Sequence, residues 1–262
     1  MNANSVPRTL PAFNPFRSDV ARRHSSYAGA IDGCLVRLLD GAKVSHEQQF
    51  LHAALRAFIV HPDFPCVGAK AALGSGEYRL GSYGDLGDAD VMHGVARDLH
   101  AFVDEQRHMK SGFSTFVAGF NELPRSDEQT FEAMLWSALQ KLNQLDKGGW
   151  DSSASSDPRD ASFSFSFAGR AFFIVGMHPG ASRFARRFPV PLLVFNAKAQ
   201  FDALRRDGRF DRMQSKIRER DVHLQGSINP NLAAFGESSE ARQYSGRATE
   251  PQWRCPFRPR LR

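Results

Sequence analysis

Between residues 162 and 175, Phe163, Phe165 and Phe167 alternate with serines, and Ala168-Gly169-Arg170 then leads into an apolar run, 171–175. A period of two puts the three rings on one face of a strand, and the short Gly-containing connection folds the next run back beside it. An aromatic hairpin face must be covered, so a chain with this segment has to build a sheet against a packed layer. Composition supplies the cover: there are 22 phenylalanines against 4 tyrosines and 3 tryptophans, and a phenyl ring has no polar atom that needs a partner when buried. With 262 residues, 42% of them hydrophobic, the chain suffices for one substantial core and is short for two full domains.

Helical periodicity surrounds the hairpin. Residues 47–60 repeat apolar side chains at steps of three and four (Phe50, Leu51, Ala54, Leu55, Phe58, Ile59) and stop before Pro62. The glycine-rich stretch 74–87 reads as a mobile loop. A helix is predicted from about Asp90, with Val91, Val95, Leu99 and Phe102 on one face, then a strand over 113–120. Another helix is predicted over 127–145, with Asp127 and Glu128 in its first turn and Phe131, Leu135, Leu139 and Leu142 on its apolar face. Residues 148–160 read as a loop, 191–195 as a strand and 199–220 as a helix interrupted near Gly208. This order predicts an α+β fold, a mostly antiparallel sheet flanked by helices in a single domain over 26–257. Flexible tails are expected at 1–25 and, basic in character, at 258–262.

The charge is uneven. From Arg170 onward there are 18 Lys+Arg and 8 Asp+Glu, net +10, which leaves 16 and 20, net −4, in the first 169 residues of this chain of 34 basic and 28 acidic residues. A basic half rich in arginine suits forked contacts to carboxylate or phosphate. Nucleic acid is not the expected partner, because no recognition motif is present and the arginines alternate with Asp202, Asp207, Asp211 and Glu219. Cys34, Cys66 and Cys255 form no C-x-x-C pair, which points to a reducing compartment. No continuous apolar run marks a leader or a span within 1–25, so a cytoplasmic protein without membrane contact is expected.

The last third holds sequences that propensity does not explain: Met177-His178-Pro179-Gly180-Ala181-Ser182-Arg183 with Arg186-Arg187-Phe188, Leu193-Val194-Phe195-Asn196 and Ile217-Arg218-Glu219-Arg220-Asp221. Leu224-Gln225-Gly226-Ser227, Asn229-Pro230, Phe235-Gly236-Glu237, Gln243-Tyr244-Ser245-Gly246-Arg247 and Trp253-Arg254-Cys255-Pro256-Phe257 follow. With Phe64-Pro65-Cys66 upstream, this ordered set resembles the YqcI/YcgG family over roughly residues 45–257. The resemblance implies a haem-dependent N-hydroxylase acting on a guanidino group of arginine or an arginine derivative, as members in guanitoxin and cycloserine biosynthesis do. A non-catalytic haem carrier or sensor is the alternative.

Under that resemblance, haem b needs a protein ligand on its iron. Cys66 precedes a predicted helix start, where amides stabilise a thiolate. His178 ends an apolar strand beside Pro179 and Gly180, and both assignments stay open, with Cys255 third. Arg183, Arg186 and Arg187, at helical spacing, suit haem propionates or a substrate carboxylate. A guanidinium substrate needs a carboxylate acceptor, for which Glu237 comes first and Asp221 second; Asp221 has the competing option of pairing with Arg218, Arg220 or Arg247. Gln225, Asn229 and Tyr244 are further polar contacts, Gln225 grouped with Glu237 at the reacting end. No P-loop, G-x-G-x-x-G or flavin motif is present, so a separate reductase with O2, or peroxide, is expected to supply the oxidising equivalents.

Overall fold

The computed structural model describes residues 14–109, 112–122, 127–231 and 237–261. Its elements are α1 (Asp19–His24), β1 (Ala28–Ile31), β2 (Cys34–Arg37), α2 (His46–Val60), α3 (Val67–Ser75), β3 (Tyr78–Asp85), α4 (Ala89–Gln106), β4 (Thr115–Glu122), α5 (Glu128–Leu145), β5 (Phe165–Phe167) and β6 (Arg170–Met177). A 3-10 turn (Phe184–Arg186), β7 (Leu192–Ala197), α6 (Lys198–Arg206), α7 (Phe210–Gln225) and α8 (Ala241–Tyr244) complete it. The fold is α+β. One sheet of seven strands runs in the order β2-β1-β3-β4-β7-β6-β5, with β3 and β4 parallel and the other neighbouring pairs antiparallel.

Both faces of the sheet are covered. Phe116, Phe120, Phe172, Ile174, Leu193 and Phe195 point toward α4 and α5 and join Val95, Leu99, Phe102, Phe131, Leu135 and Leu139 in the larger core. Val117, Leu192 and Leu80 point the other way, onto Leu51, Leu55 and Ile59 of α2 and Leu73 of α3. The hairpin forms as its alternation demands: Phe165 pairs with Phe172 across β5 and β6, and Phe163, Phe165 and Phe167 are all buried. Helix α5 starts where its first-turn acids indicate, with Asp127 accepting from Thr130 N, and it buries the predicted face. Gly208, at φ 65°, separates α6 from α7.

Three expectations need correction. The stretch 74–87 is not a loop: most of it is β3, paired with β1 on one edge and β4 on the other, where Tyr78 and Leu80 are buried. Pairing on both edges outweighs the strand cost of Gly81 and Gly84. Residues 14–25 are not a free tail. Asn14 donates to Arg97 O (2.8 Å), Arg97 donates to Phe16 O (2.7 Å), and Phe16 and Ala21 are buried. Gly94 makes this docking possible, because a Cβ there would collide with the backbone of His24. The C-terminal residues also dock, since Arg258 N and Arg260 N donate to Gln140 and Asn143 of α5 at 2.9 and 2.7 Å. The β1–β2 hairpin carries no strong apolar pattern and was not expected.

Candidate functional site

Strand β6 delivers the chain to residues 178–188, and most of the residues singled out in the sequence meet around this segment. His178 N donates to Arg186 O (3.0 Å) and His178 O accepts from Ala181 N (3.2 Å), which folds the segment into a closed loop. The three arginines do not converge. Arg183 runs to α7, donating to Asp221 Oδ2 at 2.5 Å and to Ser227 O at 2.6 Å. Arg186 turns under the end of β6 and donates to the carbonyls of Gly176 (2.9 Å) and Gln243 (3.2 Å). Its stem lies 3.2 Å from the position a Cβ would take on Gly246, whose φ of 85° and bare Cα leave it room. Arg187 reaches back to Ala181 O (2.9 Å) and covers the ring of Phe184. Helical spacing predicted one convergent cluster; the single 3-10 turn actually formed sends each guanidinium to a different acceptor.

Asp221 is thereby committed to Arg183 and to the amide of Asn229 (3.1 Å), not to Arg218, Arg220 or Arg247. Gln225, expected near the reacting end, accepts from Phe184 N (2.7 Å) and donates to Ser182 O (3.3 Å), so it fastens α7 to the 178–188 segment. Asn229 is buried and closes a local turn by accepting from Asn231 N. Tyr244, expected as a substrate contact, is a core residue: it is fully buried, stacks on Trp136 at 5.5 Å and places its hydroxyl between Phe165 N, Phe172 O and Glu240. Glu237 is exposed, and Phe235 and Gly236 of its motif lie outside the described residues.

The three candidate iron ligands sit in different surroundings. Cys66 is half-buried and caps α3, its Sγ accepting from Ala69 N at 3.4 Å. Burial pushes its thiol up, while the amides of Ala69 and Gly68 and the positive charge of Arg186 pull it down. His178 is only 1% exposed, stacks on Phe131 with ring centres 4.3 Å apart, and its buried Nδ1 has no hydrogen-bond partner. Burial pushes this imidazole down against the opposing pull of Glu128 and Asp127. Cys255 lies in the larger core, and burial pushes its thiol up to about 12. Burial prevails at both buried thiols, but only Cys66 has two amides and a guanidinium opposing it, so of these two cysteines Cys66 is the better fit for a thiolate ligand, with the iron's own charge left to draw off the proton.

Sequence reasoning passed over Glu240. Its carboxyl accepts from Ser164 Oγ (2.6 Å), contacts Tyr244 Oη (2.7 Å), and is pushed up to about 7 by burial, against the pull of Ser164, Tyr244, Lys198 and Arg205. The four-residue spacing of Glu240 and Tyr244 was the available signal, but their pairing inside the core was not legible from it. Among the described residues no helix is long and apolar enough to cross a membrane.

The family model described as YqcI/YcgG family matches residues 55–258. The protein described as uncharacterized protein YqcI, from Bacillus subtilis (strain 168), is 27% identical over 203 residues, which cover 74% of this chain and 80% of that protein. No solved structure matches the chain.

Proposed function

The chain belongs to the YqcI/YcgG family, and from that premise we propose that it is a haem-dependent monooxygenase that hydroxylates a guanidino nitrogen of arginine or an arginine-like molecule, with Cys66 as the iron ligand. The observation that carries the ligand assignment is the surroundings of Cys66: a half-buried sulfur at a helix N-terminus, held by Ala69 N and facing the charge of Arg186. Haem b, when bound there, supplies oxygen activation, which a thiolate ligand promotes more strongly than an imidazole. The chain's part is to orient the sulfur and to offset, with two amides and one guanidinium, part of the burial that on balance holds the free thiol protonated. Two backbone amides do the orienting, and Arg186 adds a positive charge that no side-chain carboxylate within ion-pair distance cancels among the described residues. Of the three arginines, Arg187, which is exposed, is the one suited to a haem propionate, because Arg183 is engaged by Asp221 and Arg186 by the carbonyls of Gly176 and Gln243. No nucleotide or flavin motif accompanies them, so the reading includes a separate reductase with O2, or peroxide, as the source of oxidising equivalents.

The test is the absorption spectrum of protein purified from haem-supplemented cells, reduced and exposed to carbon monoxide. The expected result is the red-shifted Soret band of thiolate-ligated haem, lost in Cys66→Ser and kept in Cys255→Ser. A protein that acquires no Soret band on haemin titration overturns the reading. One that binds haem but, given a reductant, consumes no oxygen with any guanidino compound is a carrier or sensor instead.

A further inference from the structure

Three residues before Cys66, the α2–α3 turn faces the last turns of α7 across an open cleft of about 410 Å³, lined by Pro62, Asp63, Glu219, Arg220, Val222 and His223. Two opposite charges on its walls have no hydrogen-bond partner among the described residues. The Asp63 carboxylate accepts no hydrogen bond among the described residues; its neighbours are the imidazoles of His61 at 3.8 Å and His223 at 3.9 Å, beyond hydrogen-bonding range. Arg220 makes no ion pair or hydrogen bond there either, and its Nη1 is buried without a partner. The remaining part of the guanidinium lines the cleft with no acceptor from the described residues, which leaves it able to take one that enters from solvent. The two groups do not satisfy each other, since no ion pair joins them within 4.0 Å.

Both walls are held in place. Lys70 Nζ donates to His61 O (2.8 Å) and Pro62 O (3.1 Å), which fixes the turn that carries Asp63. The opposite wall is fixed by the buried Arg183–Asp221 pair, next in sequence to Arg220. In the same lining, Val222 is 42% exposed and offers an apolar surface. A cleft of this size, with a carboxylate, an exposed valine and a guanidinium in its lining, is complementary to a small molecule that carries a cation, methylenes and an anion.

We propose that this cleft binds a small dipolar molecule, with Asp63 taking its cationic end and Arg220 its anionic end. The choice of a guanidinium as the cation rests on the function proposed above; the demand for two opposite charges does not. Glu219 is engaged by Lys216 at 2.8 Å and also feels the charge of Arg220 without forming an ion pair with it, so it tempers the Arg220 charge but does not occupy the guanidinium. The consequence is a specificity rule: a substrate keeps both ends, so decarboxylated guanidines and uncharged ureido analogues are poor ligands.

Calorimetric titration of the full chain as purified tests this with three probes: L-arginine, agmatine, which lacks the carboxylate, and L-citrulline, whose neutral ureido group replaces the guanidinium cation. L-arginine is expected to bind tighter than either by about tenfold or more, the size of one charge-assisted contact. Asp63→Asn should erase the arginine–citrulline difference and keep the arginine–agmatine difference, and Arg220→Gln should do the reverse. Because each comparison is a ratio within one variant, a general loss of affinity does not imitate the crossed pattern. Absence of L-arginine binding, or wild-type discrimination in both variants, overturns the proposal. The titration is independent of the Cys66→Ser spectrum, so failure of the haem reading and failure of this site are seen separately.

Discussion

Arg183 and Asp221 form a buried ion pair of 2.5 Å, with side-chain exposures of 10% and 8%, that joins the segment after β6 to the last turns of α7. Burying two charges is costly, and the pair is tolerated because both members have further partners: Ser227 Oγ and O on the guanidinium, Asn229 N on the carboxylate. Removing one member leaves the other charged and unpaired, with an expected loss of about 3 kcal/mol for Arg183→Met or Asp221→Asn. The double variant should lose clearly less than the sum. Urea unfolding of the four proteins measures this coupling, and simple additivity would show that the pair does not act as a unit.

His178 separates a structural from a ligating role through one substitution. Its ring stacks on Phe131 while its buried Nδ1 lacks a partner, so His178→Phe keeps the stack and deletes an unsatisfied nitrogen. The expected outcome is an unchanged or raised Tm with the thiolate-type carbonyl spectrum intact. A carbonyl band without the thiolate red shift, kept in Cys66→Ser and lost in His178→Phe, would move the iron to His178.

Glu240 predicts a pH dependence. The Tyr244 hydroxyl has one hydrogen and two acceptors, Phe172 O at 3.1 Å and Glu240 Oε1 at 2.7 Å. Both contacts are satisfied when Glu240 carries a proton and donates it to Tyr244. Its carboxyl is pushed up from the ordinary 4.5 to about 7, so the folded chain holds a proton that the unfolded chain releases. That contribution is complete below the ordinary value and is lost as pH rises toward and through about 7. The wild-type Tm should fall between about pH 5 and about pH 8 by roughly 2–4 °C per kcal/mol lost, and Glu240→Gln should flatten the fall. Asp98, buried beneath Ser25, Ser26 and Tyr83 and pushed up to about 6, adds a slope of the same sign in both proteins. Equal slopes in the two proteins would exclude the protonated Glu240.

The segment from Asn14 to Ser25 belongs to the fold. Phe16 is 5% exposed and stacks near Phe167 at 5.9 Å, so Phe16→Ala is expected to lower stability by about 3 kcal/mol. Truncation before Asn14 should cost much less than truncation before Ser26. Similar melting temperatures for both truncated chains would restore the picture of a free tail.

What the sequence by itself determined is whatever rests on neighbours a few residues apart. The β5–β6 hairpin, the faces of α2, α4 and α5, the break at Gly208 and the capping position of Cys66 follow from periodicity, turn residues and helix-end chemistry, which act over three or four residues. The mostly antiparallel α+β arrangement followed from the order of those elements. Tertiary structure decided everything set by distant partners. Strand β3 exists because β1 and β4 flank it, despite its glycines. Arg183, Arg186 and Arg187 diverge because Asp221, thirty-eight residues beyond Arg183, captures Arg183, the carbonyls of Gly176 and Gln243 capture Arg186, and Ala181 O holds Arg187. Asp63 and Arg220 face one cleft only because α3 packs against α7. Spacing along a chain places side chains on a local surface; which charge meets which is settled by burial, where an unpaired ion costs more than any local preference supplies.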